Sequence, residues 1–399
     1  MGFRLSSIIG LALACLAVST AHAANYNTDK IGNLMKTART DMTMVCAHRG
    51  LHGTAVGTNS HQDWLRDVPE NSVAAIQAAA TQGIECSEID LRFDRHGNVA
   101  VMHDSNLGRT TNAYSAVSGA TEYDPYTGRG YNPNVDQFPG ETYKLALRKP
   151  SLSGYTDSRF TRLHDILSAV RDQKISMILL FDVKDVAVAK AAWEIVKGYK
   201  NAWGTPAERW VYFKMPVSSI GKTPAEFEQK GIFDPSTEGG RFRLIPVFGA
   251  DFIDASGGPS NALSNWQAYY DKGYVYATEV RMKQYDNSLS YPLDNIVNRY
   301  YGLRTTQRTT KILGAYQPVP ETRNNTYFAL DGHCCTEPKY WLWKSQHGWG
   351  QETADNRPDL NWLTDVVSGS FSYIITDDPI TAISNLRGKN RRNTSVISN

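Results

Sequence analysis

Eight short apolar runs, rich in β-branched and aromatic residues, punctuate the chain at about 43–48, 84–91, 176–183, 209–215, 243–248, 274–281, 309–315 and 371–376. Each is bounded by polar or Gly/Pro stretches. Runs of this length without polar alternation predict parallel strands buried on both faces. Helix-type stretches separate most of them. Pro69 to Gln82 begins with Pro69, offers Asn71 as a cap, runs through an Ala-rich segment and stops at Gly83, which is the punctuation of a helix. Ala187 to Tyr199 and Ser264 to Lys272 predict two more. Strands alternating with helices point to a parallel sheet, and eight of them to a closed (β/α)8 barrel, the TIM-barrel architecture.

Two stretches break the alternation. Residues 105–160 are rich in Gly, Pro, Tyr, Asn and Ser, and residues 316–356 carry Pro318, Pro320, the Cys334-Cys335 pair and a Trp/Tyr cluster. Both read as long insertions on the face where barrel loops build active sites. No internal repeat is visible.

The N-terminus needs separate treatment. Arg4 precedes an apolar run from Ile8 to Val18, and Ala21-His22-Ala23 fits the small-x-small rule for cleavage. Residues 1–23 therefore read as a signal peptide with Ala24 first in the mature chain, and the protein is expected to be secreted or periplasmic. The run is shorter than the ~20 residues a membrane span needs. Cys15 does not make a lipoprotein signal, because Ala12 stands where a branched aliphatic residue is usual. The mature chain has 399 − 23 = 376 residues, and its formal charge is (42 − 1) − 40 = +1. That balance gives no reason to expect nucleic acid. Residues 24–386 form one barrel domain in this reading, and the short basic stretch in 387–399 is a solvated, disordered tail.

Four cysteines remain after processing: Cys46, Cys86, Cys334 and Cys335. Export permits bridges, but a chain this large does not depend on them. Cys46 and Cys86 each lie two residues before a candidate functional group, and the expectation is that both are reduced thiols packed as small hydrophobes. The Cys334-Cys335 pair is left open.

The informative polar residues cluster at predicted strand ends, and such residues converge at the mouth of a barrel. His48-Arg49-Gly50 ends the first strand, Glu88-Ile89-Asp90 the second, Asp182-Val183-Lys184 the third and Thr376-Asp377-Asp378-Pro379 the last. Arg92 to Met102, with Gly97 at its turn, predicts a hairpin that returns the chain to the mouth at His103-Asp104. Glu88 and Asp90, two apart on a strand, face the same side. With Asp182 they offer three hard oxygen ligands, which favours Ca²⁺ or Mg²⁺ over zinc. Arg49 and Lys184 add the positive charge that suits a phosphate. His48 and His103 supply the two proton-transfer groups that a phosphodiester displacement requires. Each cluster alone also has an ordinary structural reading, such as an ion pair at a barrel rim. Four of them in this order argue for a site.

These motifs, together with Pro69-Glu70-Asn71-Ser72, resemble the ordered motifs of the glycerophosphodiester phosphodiesterase family. The resemblance spans residues 45 to 380 and is specific in 45–112 and around 182 and 376. It implies a barrel, a divalent cation, and hydrolysis of glycerophosphodiesters to glycerol 3-phosphate and an alcohol. Carried over residue by residue, it implies His48 and His103 as the acid/base pair. It also implies Glu88, Asp90 and Asp182 as metal ligands, Arg49 and Lys184 facing the phosphate, and Glu70 orienting Arg49. This chain departs from the pattern in three places. Asp182 stands where Glu is usual, which leans the expected ion toward Ca²⁺ over Mg²⁺ because Ca²⁺ tolerates flexible geometry. The segment between His48 and Pro69 is long and holds His52 and His61. Ile312-Leu313-Gly314-Ala315-Tyr316 lacks the usual Trp-Thr-x-Asn pattern.

Two other classes remain. One is a phospholipase-D-like or phosphoinositide-lyase-type enzyme on a similar barrel. The other is a non-catalytic binding protein of the same fold, which a missing histidine or acid would have signalled. The expected partner is a small glycerophosphodiester. Trp341, Trp343 and Trp349 read as packing of a long loop in preference to a membrane contact.

Overall fold

The computed structural model describes residues 26–54, 65, 67–281, 294–306, 311–317, 321–323, 326–336 and 371–399. Residues 1–23, read as a leader, His61 and the three tryptophans of the 341–349 cluster lie outside them. Eight parallel strands form the frame: β1 (Met44–Ala47), β2 (Cys86–Phe93), β6 (Ile178–Val183), β7 (Val211–Pro216), β8 (Leu244–Phe248), β9 (Ala277–Arg281), β10 (Ile312–Gln317) and β13 (Tyr373–Thr376). Each pairs with the next in chain order, and β1 pairs with both β13 and β2, so the sheet closes on itself. This is the eight-stranded barrel that the apolar runs predict, with strand starts displaced by no more than a few residues.

Helices fill the connections. Helix α1 (Thr28–Leu34) precedes the first strand and α2 (Val73–Thr81) follows it, α3 (Leu163–Asp172) and α4 (Val186–Lys197) flank β6, and α5 (Pro259–Tyr270) precedes β9. The cap of α2 differs from expectation. Ser72 is the N-cap, its hydroxyl accepting from the Ala75 amide at 3.0 Å, while Asn71 sits one residue earlier at φ +52°. The left-handed backbone there, which Asn tolerates well, turns the Asn71 side chain away from the helix and toward β2.

The hairpin that Gly97 predicts is present. Strand β3 (Val99–Val101) runs antiparallel to β2 with Leu91 opposite Val101, and the Met102 amide donates to the Asp90 carbonyl at 2.9 Å. That bond delivers His103 to the mouth. Residues 105–160 are more ordered than their composition suggests. They carry an antiparallel pair, β4 (Ala146–Arg148) and β5 (Tyr155–Arg159), over a small separate core built around Leu107, Phe138, Leu147 and Phe160. In the second insertion, β11 (Tyr327–Phe328) and β12 (Cys334–Thr336) form another short antiparallel pair. It is tied to the first insertion by Asn132 Nδ2 donating to the Asp331 carbonyl at 2.7 Å and by the Cys334 amide donating to the Pro125 carbonyl at 2.8 Å.

Two expectations are corrected here. Residues 387–399 are not a solvated tail. Arg392 reaches a buried carboxylate, Glu85, with Nη1 and Nη2 at 2.5 and 2.8 Å, and Ile397 is fully buried. Glu85 lies just before β2 at the end of the barrel opposite the mouth, where a buried carboxylate needs a counter-charge. The basic stretch supplies it.

Cys46 and Cys86, expected as reduced thiols, are bonded to each other, with 4.3 Å between their Cα atoms. They are directly opposed across β1 and β2, so two side chains that point to the same interior meet within bridging reach. The adjacent Cys334 and Cys335 are also bonded to each other. The first bridge ties the strand leading to His48 to the strand holding Glu88 and Asp90. We expect no titratable thiol from Cys46 or Cys86 in the unreduced, denatured protein. The Cys46→Ser/Cys86→Ser variant should lose about 2–4 kcal/mol of stability in denaturant melts. Two free thiols in the unreduced protein would refute the bridge.

Candidate active site

Strand ends assemble the site. Immediately after β1, the chain turns through Arg49 at φ +52° and Gly50 at φ +77°. A Cβ on Gly50 would stand 2.6 Å from the Ala75 Cβ, so only glycine lets this turn pack under α2. The turn is held from β2. The Arg49 amide donates to Glu88 Oε2 at 3.0 Å and the Gly50 amide to the Glu88 carbonyl at 3.1 Å.

Three acids converge beside it. Asp90 and Asp182 are register partners across β2 and β6, and Glu88 is two residues before Asp90 on the same face. One carboxylate oxygen from each of Glu88, Asp90 and Asp182 lies within 4.8 Å of the others, and all three residues are buried. Asn71 fixes Asp90 from both ends, donating from Nδ2 to Oδ2 at 3.1 Å and accepting the Asp90 amide at 3.0 Å. Lys184 Nζ bridges Asp90 at 3.0 Å and Asp182 at 3.1 Å. The structure therefore places Lys184 on the acids, at the rim where the sequence set it against phosphate.

Close packing of like charges shifts the acids unequally. Burial, reinforced by Asp90, raises the Glu88 pKa above the ordinary carboxylate value. For Asp90 burial acts in the same upward sense, but Lys184, His103 and Arg49 outweigh it and hold the group well below that value. The donor set suits a hard divalent cation: three oxygens, no sulfur, and a crowd of negative charge that a cation would relieve.

Two imidazoles flank the acids. His48 is buried, with Nδ1 2.6 Å from Asp377 Oδ1 and Nε2 3.9 Å from Glu88 Oε2. His103 is more open, its side chain 17 % exposed, with Nδ1 2.9 Å from Asp104 Oδ1. Each ring thus has a carboxylate at Nδ1, which fixes its orientation and leaves Nε2 for chemistry. Their environments differ in sign. Burial opposes the charge on His48, but Asp377 and then Glu88 overcome it and raise the pKa. Burial and then Arg49 lower that of His103, against the pull of Asp90 and Asp104.

The cations form a second network. Arg49 Nη1 lies 3.1 Å from Glu70 Oε1 and 2.8 Å from Glu321 Oε1, and its Nε 3.5 Å from Asp90. Glu70 also accepts from Nη1 and Nη2 of Arg109 at 2.9 and 2.7 Å, and Arg109 Nε donates to Asp104 at 2.5 Å. A chain of charge-assisted bonds therefore runs from Arg49 through Glu70 and Arg109 to Asp104, beneath His103. Glu70 lies beside Arg49 and is held from both sides. His52, also buried, has Nε2 3.6 Å from Asp377.

All eight residues named from the sequence thus meet at one mouth. The sequence pattern assigns no part in the site to Asp377, Asp104, Asn71, Arg109, Glu321 or Lys214. The first three stood inside quoted motifs, and adjacency to a candidate was their available signal. Arg109 and Glu321 come from the insertions and carried none. A pocket of about 200 Å³ opens beside the acids, between Asp90 and Lys184 on one side and Ser105, Asn134 and Asp136 of the first insertion on the other.

The chain is similar to known proteins. The model of the glycerophosphoryl diester phosphodiesterase family matches residues 48–207. A glycerophosphodiester phosphodiesterase of Bacillus altitudinis is 34% identical over 80 residues, 20% of this chain and 27% of its own length. Glycerophosphodiester phosphodiesterase 1 of Bos taurus is 42% identical over 66 residues, 16% of this chain and 20% of its own. The matched part thus spans about a quarter or less of these curated relatives. A crystal structure of a glycerophosphoryl diester phosphodiesterase from Parabacteroides distasonis superposes with a TM-score of 0.52 at 14% identity, covering 92% of this chain and 94% of the other. At that identity the likeness speaks for the barrel alone.

Proposed function

We infer that this chain, whose residues 48–207 match the model of the glycerophosphoryl diester phosphodiesterase family, is a member of that family and hydrolyses glycerophosphodiesters to glycerol 3-phosphate and an alcohol. The observation that carries this reading is the pair of imidazoles, each anchored at Nδ1 by its own aspartate, on either side of a buried acid triad.

The two rings divide the work. His103, with its depressed pKa, is neutral near pH 7. Its Nδ1–H donates to Asp104, so Nε2 holds the lone pair that accepts a proton from attacking water. His48, with its raised pKa, carries the proton that Nε2 gives to the departing alkoxide. The bond from phosphorus to the water oxygen forms as the bond to the alcohol oxygen breaks. The proton that His103 gains and the one that His48 loses keep the balance. Arg49, preset by Glu70 and Glu321, meets the non-bridging oxygens with charge-assisted hydrogen bonds. Glu88, Asp90 and Asp182 would hold one divalent cation, which when bound adds stabilisation of phosphate charge. Asp182 is one methylene shorter than Glu, so the ion with flexible coordination is favoured, and we propose Ca²⁺ over Mg²⁺. Lys184 must then leave the acids and turn to the phosphate. Two disulfides suit an oxidising compartment, and with the leader-like residues 1–23 they support secretion or a periplasmic location.

Phosphorus NMR on purified protein tests the reading. With glycerophosphocholine or glycerophosphoethanolamine, the expected product is glycerol 3-phosphate, and chelator stops its release. A cyclic phosphate as end product would make the protein a lyase. Head-group release from intact phospholipid, with glycerophosphodiesters inert, would make it a phospholipase D. No turnover of either substrate would leave a binding protein.

A further inference from the structure

Lys214 has no part in the chemistry above, yet among the described residues it is one of the most deeply buried charges, with 1% of its surface exposed. It lies on β7, directly opposite Asp182 of β6, and its side chain enters the barrel. Its Nζ stands 3.3 Å from Glu279 Oε1, 3.4 Å from Asp182 Oδ2 and 3.8 Å from Glu88 Oε1. The three carboxylates come from three different strands, β9, β6 and β2. Below them Tyr373 donates its hydroxyl to the other oxygen of Glu279 at 3.3 Å. On the mouth side the ammonium lies over the Tyr316 ring, 5.1 Å from its centroid.

An ammonium taken this far from water is very costly unless several acceptors surround it. Here the surroundings are those of a bound ion: oxygens from separate strands arranged about a point charge. Two of the three, Asp182 and Glu88, also belong to the triad assigned to the divalent cation. Ions in paired-metal phosphoesterase sites share carboxylates in this way, at separations of about 3.5–4 Å.

We propose that the Lys214 ammonium occupies a second cation position of this centre, so that the site is built for one divalent ion plus one tethered positive charge. The proposal rests on the one-cation reading of Glu88, Asp90 and Asp182. Charge counting supports it. Glu88, Asp90, Asp182 and Glu279 bring four negative charges when ionised, against which one divalent ion and Lys214 supply three. With Lys214 removed, two divalent ions would supply four. The tethered charge also positions its neighbours: it draws Asp182 Oδ2 and Glu88 Oε1 inward and limits how those carboxylates can turn toward the ion. In this role Lys214 is a positioning residue.

The test is a count of bound calcium. Wild type and Lys214→Ser are dialysed to equilibrium against calcium alone, and bound ion is measured per chain. The expected result is one equivalent for wild type and two for Lys214→Ser, which leaves the space open. The thermal midpoint of Lys214→Ser should fall in metal-free buffer and recover on adding calcium by more than that of wild type. A variant that binds no more calcium than wild type overturns the proposal. So does a variant that stays unfolded at millimolar calcium, because an ion would then be unable to replace the ammonium. The wild-type count reports separately on the function: zero equivalents would refute the one-cation reading, whereas the difference between the two proteins decides the role of Lys214.

Discussion

Replacing His48 or His103 with Ala lowers kcat by roughly two to four orders of magnitude, with the barrel still folded. Neither ring is part of the apolar core, and each hangs from a strand end by one carboxylate, so truncation removes a proton carrier without opening the interior. The two losses should have different pH signatures. His48 must be protonated, and its pKa is raised, so wild-type activity falls as pH rises through that elevated value. His103 must be neutral, and its pKa is lowered, so activity falls as pH drops through that depressed value. The kcat/KM profile of wild type is therefore a bell with a broad top across neutrality. Residual activity of His48→Ala should lack the alkaline limb, and that of His103→Ala the acid limb. Circular dichroism confirms folding, and wild-type turnover in either variant would sink the assignment. Asp377→Asn and Asp104→Asn should each reproduce a smaller part of the loss of its own histidine, since each only orients a ring and sets its charge.

The barrel is legible in the sequence for a physical reason. A strand of a closed parallel sheet is covered on both faces, so it appears as an uninterrupted apolar run. Ile178-Leu179-Leu180-Phe181 is such a run, and all six residues of β6 are buried. Functional groups at strand ends were legible for the same reason: Asp182 and Lys184 follow a run whose direction is fixed by the barrel. Contacts between strands were not legible, because pairing register is a property of closure. Cys46 and Cys86 were expected to be free thiols, and their meeting depends on a one-residue alignment of β1 against β2.

Other features were hidden by the context that gives them meaning. Lys214 stands in Val211-Tyr212-Phe213-Lys214-Met215, which reads as an ordinary strand. Its signal was a lone lysine in a segment with no solvent face. Glu321 reaches Arg49 across 272 positions, and Arg109 reaches Glu70 across 39. Both sit in insertions without periodicity, where no rule places a side chain. The tail misled in the opposite direction. A basic, Asn/Ser-rich end is usually solvated, but here Glu85, buried at the far end of the barrel, captures Arg392.

Removing divalent metal, or removing Asp182 as its ligand, should cost nearly as much activity as losing a histidine. The register of β2 and β6 sets Asp90 and Asp182 side by side, and the three acids share one small volume. A cation there would offset the burial and the neighbouring Asp90 charge that together raise Glu88. Lys184 currently fills part of this role, 3.0 and 3.1 Å from Asp90 and Asp182. Its side chain is about a third exposed, so an entering ion can displace it at little cost, since an exposed ammonium is well solvated. Chelation should abolish turnover, and calcium should restore it more fully than magnesium, whose rigid octahedral demand fits a short Asp poorly. Asp182→Asn keeps the shape and removes the charge. We expect calcium affinity to fall roughly ten- to a hundredfold, at least as far as loss of a residue that only supports a ligand, and kcat/KM to fall with it. High calcium should recover part of the rate. Titration calorimetry with calcium, run beside the assay, separates binding from chemistry. If Asp182→Asn keeps both the wild-type affinity and the wild-type rate, Asp182 serves only as an ion-pair partner of Lys184 and Lys214. The third ligand must then be sought deeper in the barrel, where Glu279 stands 3.3 Å from the Lys214 ammonium.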